Sequence, residues 1–161
     1  MSKNQKVKFN LTDPVHFLAL GFGSGLAPKA PGTFGTLAAI PLFLVFMNLS
    51  QLNFAAITGV MTMAGIWFCG KTAEDVGVHD HGAIVWDEIV GFFITMFMVP
   101  VSVTTICVGF ALFRFFDIIK PWPIKAVDKK LEGGFGIMFD DVLAGLFALG
   151  CMHLLLYFGV L

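Results

Sequence analysis

Charge is scarce in this 161-residue sequence. Asp, Glu, Lys and Arg together make up 13% of it, about half the ~25% usual in soluble globular domains. The few charges almost cancel, leaving a net −1. A strongly basic nucleic-acid binder is therefore excluded. Cysteine is also rare. Cys69, Cys107 and Cys151 sit singly in apolar stretches, too sparse and too irregularly spaced for a disulfide scaffold or a thiolate zinc site. Residues 1–13 lack the apolar core and small-residue cleavage site of a signal peptide, so insertion is expected to rely on internal spans.

Apolar residues are what the sequence has in excess. They reach 57%, with nineteen Phe, and the mean hydropathy is +0.86. A soluble core of this size needs less, so the composition reads as a single membrane-embedded domain over 1–161. The charges fall in three blocks, 1–29, 71–88 and 114–141, separated by charge-free runs of 41, 25 and 20 residues. One crossing takes about 20 apolar residues. The first run thus divides into helices at Thr36–Met47 and Phe54–Gly70, and the last gives one at Val142–Leu161.

The middle run is long enough for one span, but Pro100 lies near its centre, where proline breaks the helical ladder. We read it as a hairpin of Gly82–Val99 and Val103–Lys120. That places Trp67, Trp86 and Trp122 at one interface, and blocks one and three, with nine of the ten positive charges, in the cytoplasm. The expected fold is all-α and polytopic, with about five hydrophobic helices. A short interfacial helix precedes them, started by Asp13 as N-cap and Pro14 at the first position.

The strongest chemical signal is acidic. Asp80, Asp87 and Glu88 in block two, and the pair Asp140-Asp141, abut long apolar runs, where unneutralised acids are costly and mark function. Oxygen ligands without thiolates suit a hard cation, and Mg²⁺ is the usual one beside phosphate. Glu74, Asp128 and Glu132 read as solvated loop acids. Arg114, Asp117 and Lys120, at i, i+3 and i+6, fall on one helical stripe, either gripping a phosphate or forming a snorkelling helix end. The Gly-, Pro- and Thr-rich stretch at 23–36, which includes Thr33, opens a helix whose free N–H groups favour an anion. His79 and His81 flank Asp80 and read as loop residues; His16 and His153 read as structural. Gly65–Thr72 matches a P-loop pattern, but it continues a charge-free membrane run and lacks the strand that motif requires.

Taken together, several of these stretches resemble one family. They are Gly21–Pro28 with Pro31-Gly32-Thr33, Val78–Gly82 through Ile84–Glu88, Phe113-Arg114 through Asp117 with Lys120–Ile124, and Gly133–Met138 followed by Asp140-Asp141. From about Pro14 to Gly145 the chain is similar to the phosphatidylglycerophosphatase A family of bacterial membrane lipid phosphatases. The resemblance implies a Mg²⁺-dependent, multi-pass enzyme of the inner membrane with its site facing the cytoplasm. It would hydrolyse phosphatidylglycerophosphate to phosphatidylglycerol and phosphate, with membrane lipids rather than nucleic acid around it. Asp80, Asp87, Glu88, Asp140 and Asp141 are then expected to hold the metal or orient water. Arg114 and Lys120 would bind phosphoryl oxygens, Asp117 would orient these two cations, and Thr33 would line the substrate. The alternatives are an ion transporter using the same acids and a CDP-alcohol-type transferase, whose longer run of spaced aspartates is absent here.

Overall fold

The computed structural model describes residues 7–78, 81–128 and 130–161, and among them helix is the only regular structure. Asp13 starts α1 (Pro14–Ala19) by accepting a hydrogen bond from the Val15 N–H at 2.8 Å, as the Asp-Pro pair predicts. A 3₁₀ turn at Ser24–Leu26 leads to α2 (Pro31–Phe46), which begins five residues before the expected Thr36 because Pro31 is already set for a first helical position.

The next helix, α3 (Gln51–Val76), runs past the expected Gly70. Lys71 pairs with Asp75 one turn on, and the helix stops only at Gly77, whose φ of 67° suits glycine. The stretch resembling a P-loop is therefore the interior of this helix.

The hairpin around Pro100 is present, but its first arm is short. Helix α4 (Trp86–Thr95) replaces the expected Gly82–Val99. At its start, the Val85 N–H donates to the Ala19 carbonyl at 2.9 Å and ties the preceding residues to α1. At its end the chain turns through Met98, at φ 58°, and Pro100. Ser102 then caps α5 (Val103–Ile119) through reciprocal bonds with Thr105. After the short α6 (Ile124–Asp128), α7 (Gly133–Tyr157) starts nine residues earlier than expected. Nothing between Gly133 and Val142 breaks a helix, so Asp140 and Asp141 fall inside it, in its third turn.

By length and composition, α3 and α7 can each cross a membrane. At 1.5 Å per residue they measure about 39 Å and 38 Å, against a ~30 Å hydrocarbon core. Helix α2 is apolar but shorter, and α4, at about 15 Å, is half a crossing. Of the helices among the described residues, two are thus long and apolar enough to span, where about five hydrophobic helices were expected.

The chain alternates between two ends. The 47–50 and 96–102 turns meet at one end, around an apolar cavity lined by Met47, Leu49, Met96 and Val99. The C-termini of α3 and α5 and the N-termini of α2, α4 and α7 share the other end, which carries the charges of α3–α7. At the centre lies α4, with Ile89, Val90, Phe92 and Phe93 fully enclosed. Trp86 departs from the expected interfacial belt. It is buried, its Nε1–H donates to the Met61 carbonyl at 3.1 Å, and its ring meets the edges of Phe68 and Phe22, while Trp67 and Trp122 remain exposed.

Close backbone approach sets the site. A Cβ on Gly145 of α7 would stand 2.6 Å from the Gly91 carbonyl of α4, and one on Gly91 would run into the Phe113 ring of α5. Small residues let apolar helices meet this tightly. Gly91 lies one turn beyond Asp87 and Glu88, so the contact draws the third turn of α7 against the first turn of α4.

Candidate active site

Two carboxylates, Asp87 and Glu88, occupy the first turn of α4, where the helix dipole favours negative charge. The approach of α7 adds Asp141, and one oxygen from each of the three lies within 4.8 Å of the others. Asp87 and Asp141 are 7% and 2% exposed. Asp87 Oδ1, Glu88 Oε2 and Asp141 Oδ2 are buried without a hydrogen-bond partner among the described residues. Buried acceptors are rarely left so.

Among the described residues, one cation faces the group. Arg114 of α5 sets Nη1 3.8 Å from Glu88 Oε1 and 2.5 Å from Asp117 Oδ2. Asp117 in turn lies near enough to Asp141 and Glu88 for its charge to act on both. When ionised, four carboxylates around one guanidinium leave a negative excess in a low-dielectric setting, which a further cation would offset. Carboxylate-only donors with unpartnered oxygens fit a hard divalent ion. The floor is completed by α2. A Cβ on Gly32 would meet Glu88 Oε1 and stand 3.0 Å from both Arg114 Nη1 and Nη2, so the bare backbone of this helix N-terminus lies against the ion pair.

Residues 17–156 match the family model described as phosphatidylglycerophosphatase A. The chain belongs to that family. A phosphatidylglycerophosphatase A of Haemophilus influenzae is 50% identical, covering 92% of this chain and 93% of its own. One from Escherichia coli is 42% identical over 92% of this chain and 87% of its own. A Bacteroides thetaiotaomicron protein provisionally named a phosphatidylinositol-3-phosphatase is 37% identical, covering 81% and 86%. No solved structure matches.

The residues expected for a phosphatidylglycerophosphatase A site divide into two groups. Asp87, Glu88 and Asp141 come together with Arg114 and Asp117, and Thr33, half-buried, follows Gly32 in the first turn of α2. Asp140 and Lys120 form a second group. Neighbours on a helix point about 100° apart, and Asp140 turns from the trio to bond Lys120 Nζ at 2.6 Å. Lys120 does not stack on Arg114. It ends α5 in the left-handed region, at φ 45°, and also donates to Asp128 at 2.8 Å. Burial disfavours its charge, but the bonds to Asp128 and Asp140 outweigh this and hold its pKa above the ordinary lysine value. Asp80 and His79 lie outside the described residues.

Two residues beside these groups were not among the expected site residues. Asp128, read as a solvated acid, reaches Lys120 across the Pro121-Trp122-Pro123 turn, a fold-back that helical spacing does not reveal. Gly32 carries no side chain to notice, and its only signal was its place between Pro31 and Thr33. His16 is structural as expected, buried with Nε2 3.3 Å from Asp75 Oδ2. The transporter reading finds no support, since the acids of α4, α5 and α7 gather at one end and are not strung along the spans.

Proposed function

We propose that this chain hydrolyses the phosphomonoester of phosphatidylglycerophosphate, releasing inorganic phosphate and leaving phosphatidylglycerol in the membrane. The observation that carries the proposal is the meeting of Asp87, Glu88 and Asp141 within 4.8 Å beside Arg114. Acids able to hold a metal, a cation able to bind phosphate and membership of a phosphatase family coincide there. Mg²⁺, held by Asp87, Glu88 and Asp141, would supply Lewis-acid polarisation of the phosphoryl group.

The chain's own residues do the rest. Arg114 binds phosphoryl oxygens through its guanidinium, positioned by Asp117. The open backbone of Gly32, with the Thr33 hydroxyl beside it, receives a phosphoryl oxygen at the start of α2. A carboxylate of the trio orients water in line with the ester oxygen. Attack on phosphorus opposite the ester oxygen forms the new P–O bond as the P–O bond to glycerol breaks, and the proton that the water gives up to the carboxylate passes on to the departing alkoxide. Lys120, with Asp140 behind it, holds the phosphate from the end of α5. Asp80 is retained as a further metal or proton-handling carboxylate on its sequence position.

We read the chain as a multi-pass protein of the bacterial inner membrane. Its ionic end faces the cytoplasm, in keeping with blocks one and three, which hold nine of the ten positive charges. The test is phosphate release from phosphatidylglycerophosphate in detergent micelles, with Mg²⁺ and with chelator. Activity is expected to need the cation and to fall at least ~100-fold in Asp87→Asn and Asp141→Asn, the scale for losing a group that stabilises transition-state charge. Full activity in both variants would overturn the assignment, and no phosphate release by the unaltered protein would overturn the function.

A further inference from the structure

The Lys120 ammonium hydrogen-bonds two carboxylates that differ in burial. An ammonium has three N–H donors. Two are taken, by Asp140 Oδ2 at 2.6 Å and Asp128 Oδ1 at 2.8 Å. With both carboxylates ionised, this cluster has a net charge of −1 and repels an incoming phosphate dianion.

The two acids are not equivalent. The Asp140 side chain is 9% exposed and fixed in the interior of α7, whereas that of Asp128 is 33% exposed on the five-residue α6. Releasing Asp140 would strand a buried charge. Releasing Asp128 returns a carboxylate to water, and ion pairs this exposed are weak.

We propose that Asp128 is an exchangeable counter-ion for Lys120, a positioning residue that holds the ammonium in the empty site and yields its place to the substrate's phosphate. Asp140 is the fixed partner. The backbone at Lys120 is left-handed, and its side chain meets Asp128 of α6 and Asp140 of α7. A phosphate that reaches Lys120 meets the Asp128 carboxylate as well as the ammonium, so the two anions oppose one another there. No bond is made or broken covalently in this exchange. The inference rests on the phosphatase reading, and it assigns a role to an acid outside the metal-binding trio.

The experiment compares unaltered protein, Asp128→Asn, Lys120→Gln and the double variant in detergent micelles with phosphatidylglycerophosphate and Mg²⁺. Inorganic phosphate serves as the competing product. Removing the competing charge should lower KM and the phosphate inhibition constant by about two- to fivefold, the range for one partly exposed ion pair. In the Lys120→Gln background, Asp128→Asn should change neither. Asp128→Glu should restore values near those of the unaltered protein. A raised or unchanged KM in Asp128→Asn would overturn the exchange, as would an equal effect of that substitution with Lys120 absent. A merely structural role would lower kcat or melting temperature without the selective gain in phosphate binding. Those results leave the function standing, because the unaltered protein would still release phosphate.

Discussion

Replacing Gly32 by Ala separates catalytic geometry from stability. Its φ lies outside the left-handed region, so alanine fits the backbone, and as a helix former it favours the first turn of α2. The cost falls elsewhere. The new methyl would press on Glu88 Oε1 and stand 3.0 Å from each terminal nitrogen of Arg114, whereas comfortable contact begins near ~3.5 Å. Arg114 must move about half an ångström and Glu88 about a full one. A full ångström of misplacement costs about 100-fold in rate, and half of that on a logarithmic scale is about tenfold. The expected result is a fall of about 10- to 100-fold in kcat/KM for phosphatidylglycerophosphate, with the thermal midpoint unchanged or slightly raised. Unchanged kinetics would show that the start of α2 is not part of the site, and an equal loss of stability would show that the backbone there had been misread.

Gly145→Ala should do the opposite. It forces α7 off the Gly91 carbonyl, costs about 1–3 kcal/mol as overpacking, and parts Asp141 from Asp87 and Glu88. Melting temperature and activity should fall together, while Gly150→Ala on the same helix, with open space around it, should change neither. Lys71→Gln should keep full activity, because Lys71 is a half-exposed partner of Asp75 within α3; a P-loop lysine would be indispensable, so an inactive variant would refute this account of the segment.

The all-helical class, the turn at Pro100 and the clustering of acids with Arg114 were legible because they rest on local features: run length, a ring that breaks helix, and charge beside apolar sequence. Helix limits were legible only where a cap was written into the residues, as at Asp13-Pro14 and Ser102. The start of α4 was hidden because a tertiary bond, from the Val85 N–H to the Ala19 carbonyl, decides it. Trp86 was misplaced for a related reason. An indole suits an interface and a core equally, and only the Met61 carbonyl waiting inside decides between them. Asp140 and Asp141 looked equivalent in the sequence, yet consecutive positions on a helix face different neighbours, so one meets Lys120 and the other the trio.

The short α4 explains how a bundle this apolar carries such a site. A full-length helix would place its N-terminus, and any acids there, out in water beyond the headgroups. With about 15 Å of length, α4 instead starts below the ends of its neighbours. Asp141, eight residues into α7, lies about 12 Å from that helix's first residue. Carboxylates from both helices thus meet where the polar boundary of a bilayer would lie on the membrane reading proposed above. Depth of this kind suits a phosphate carried on a lipid, whose ester oxygen stays near the interface while its acyl chains remain among the helices. The glycine contact between α4 and α7 then has a functional sense. It holds two acidic turns together at a depth where mutual repulsion would otherwise part them, and so keeps in one place the acids proposed to hold the cation.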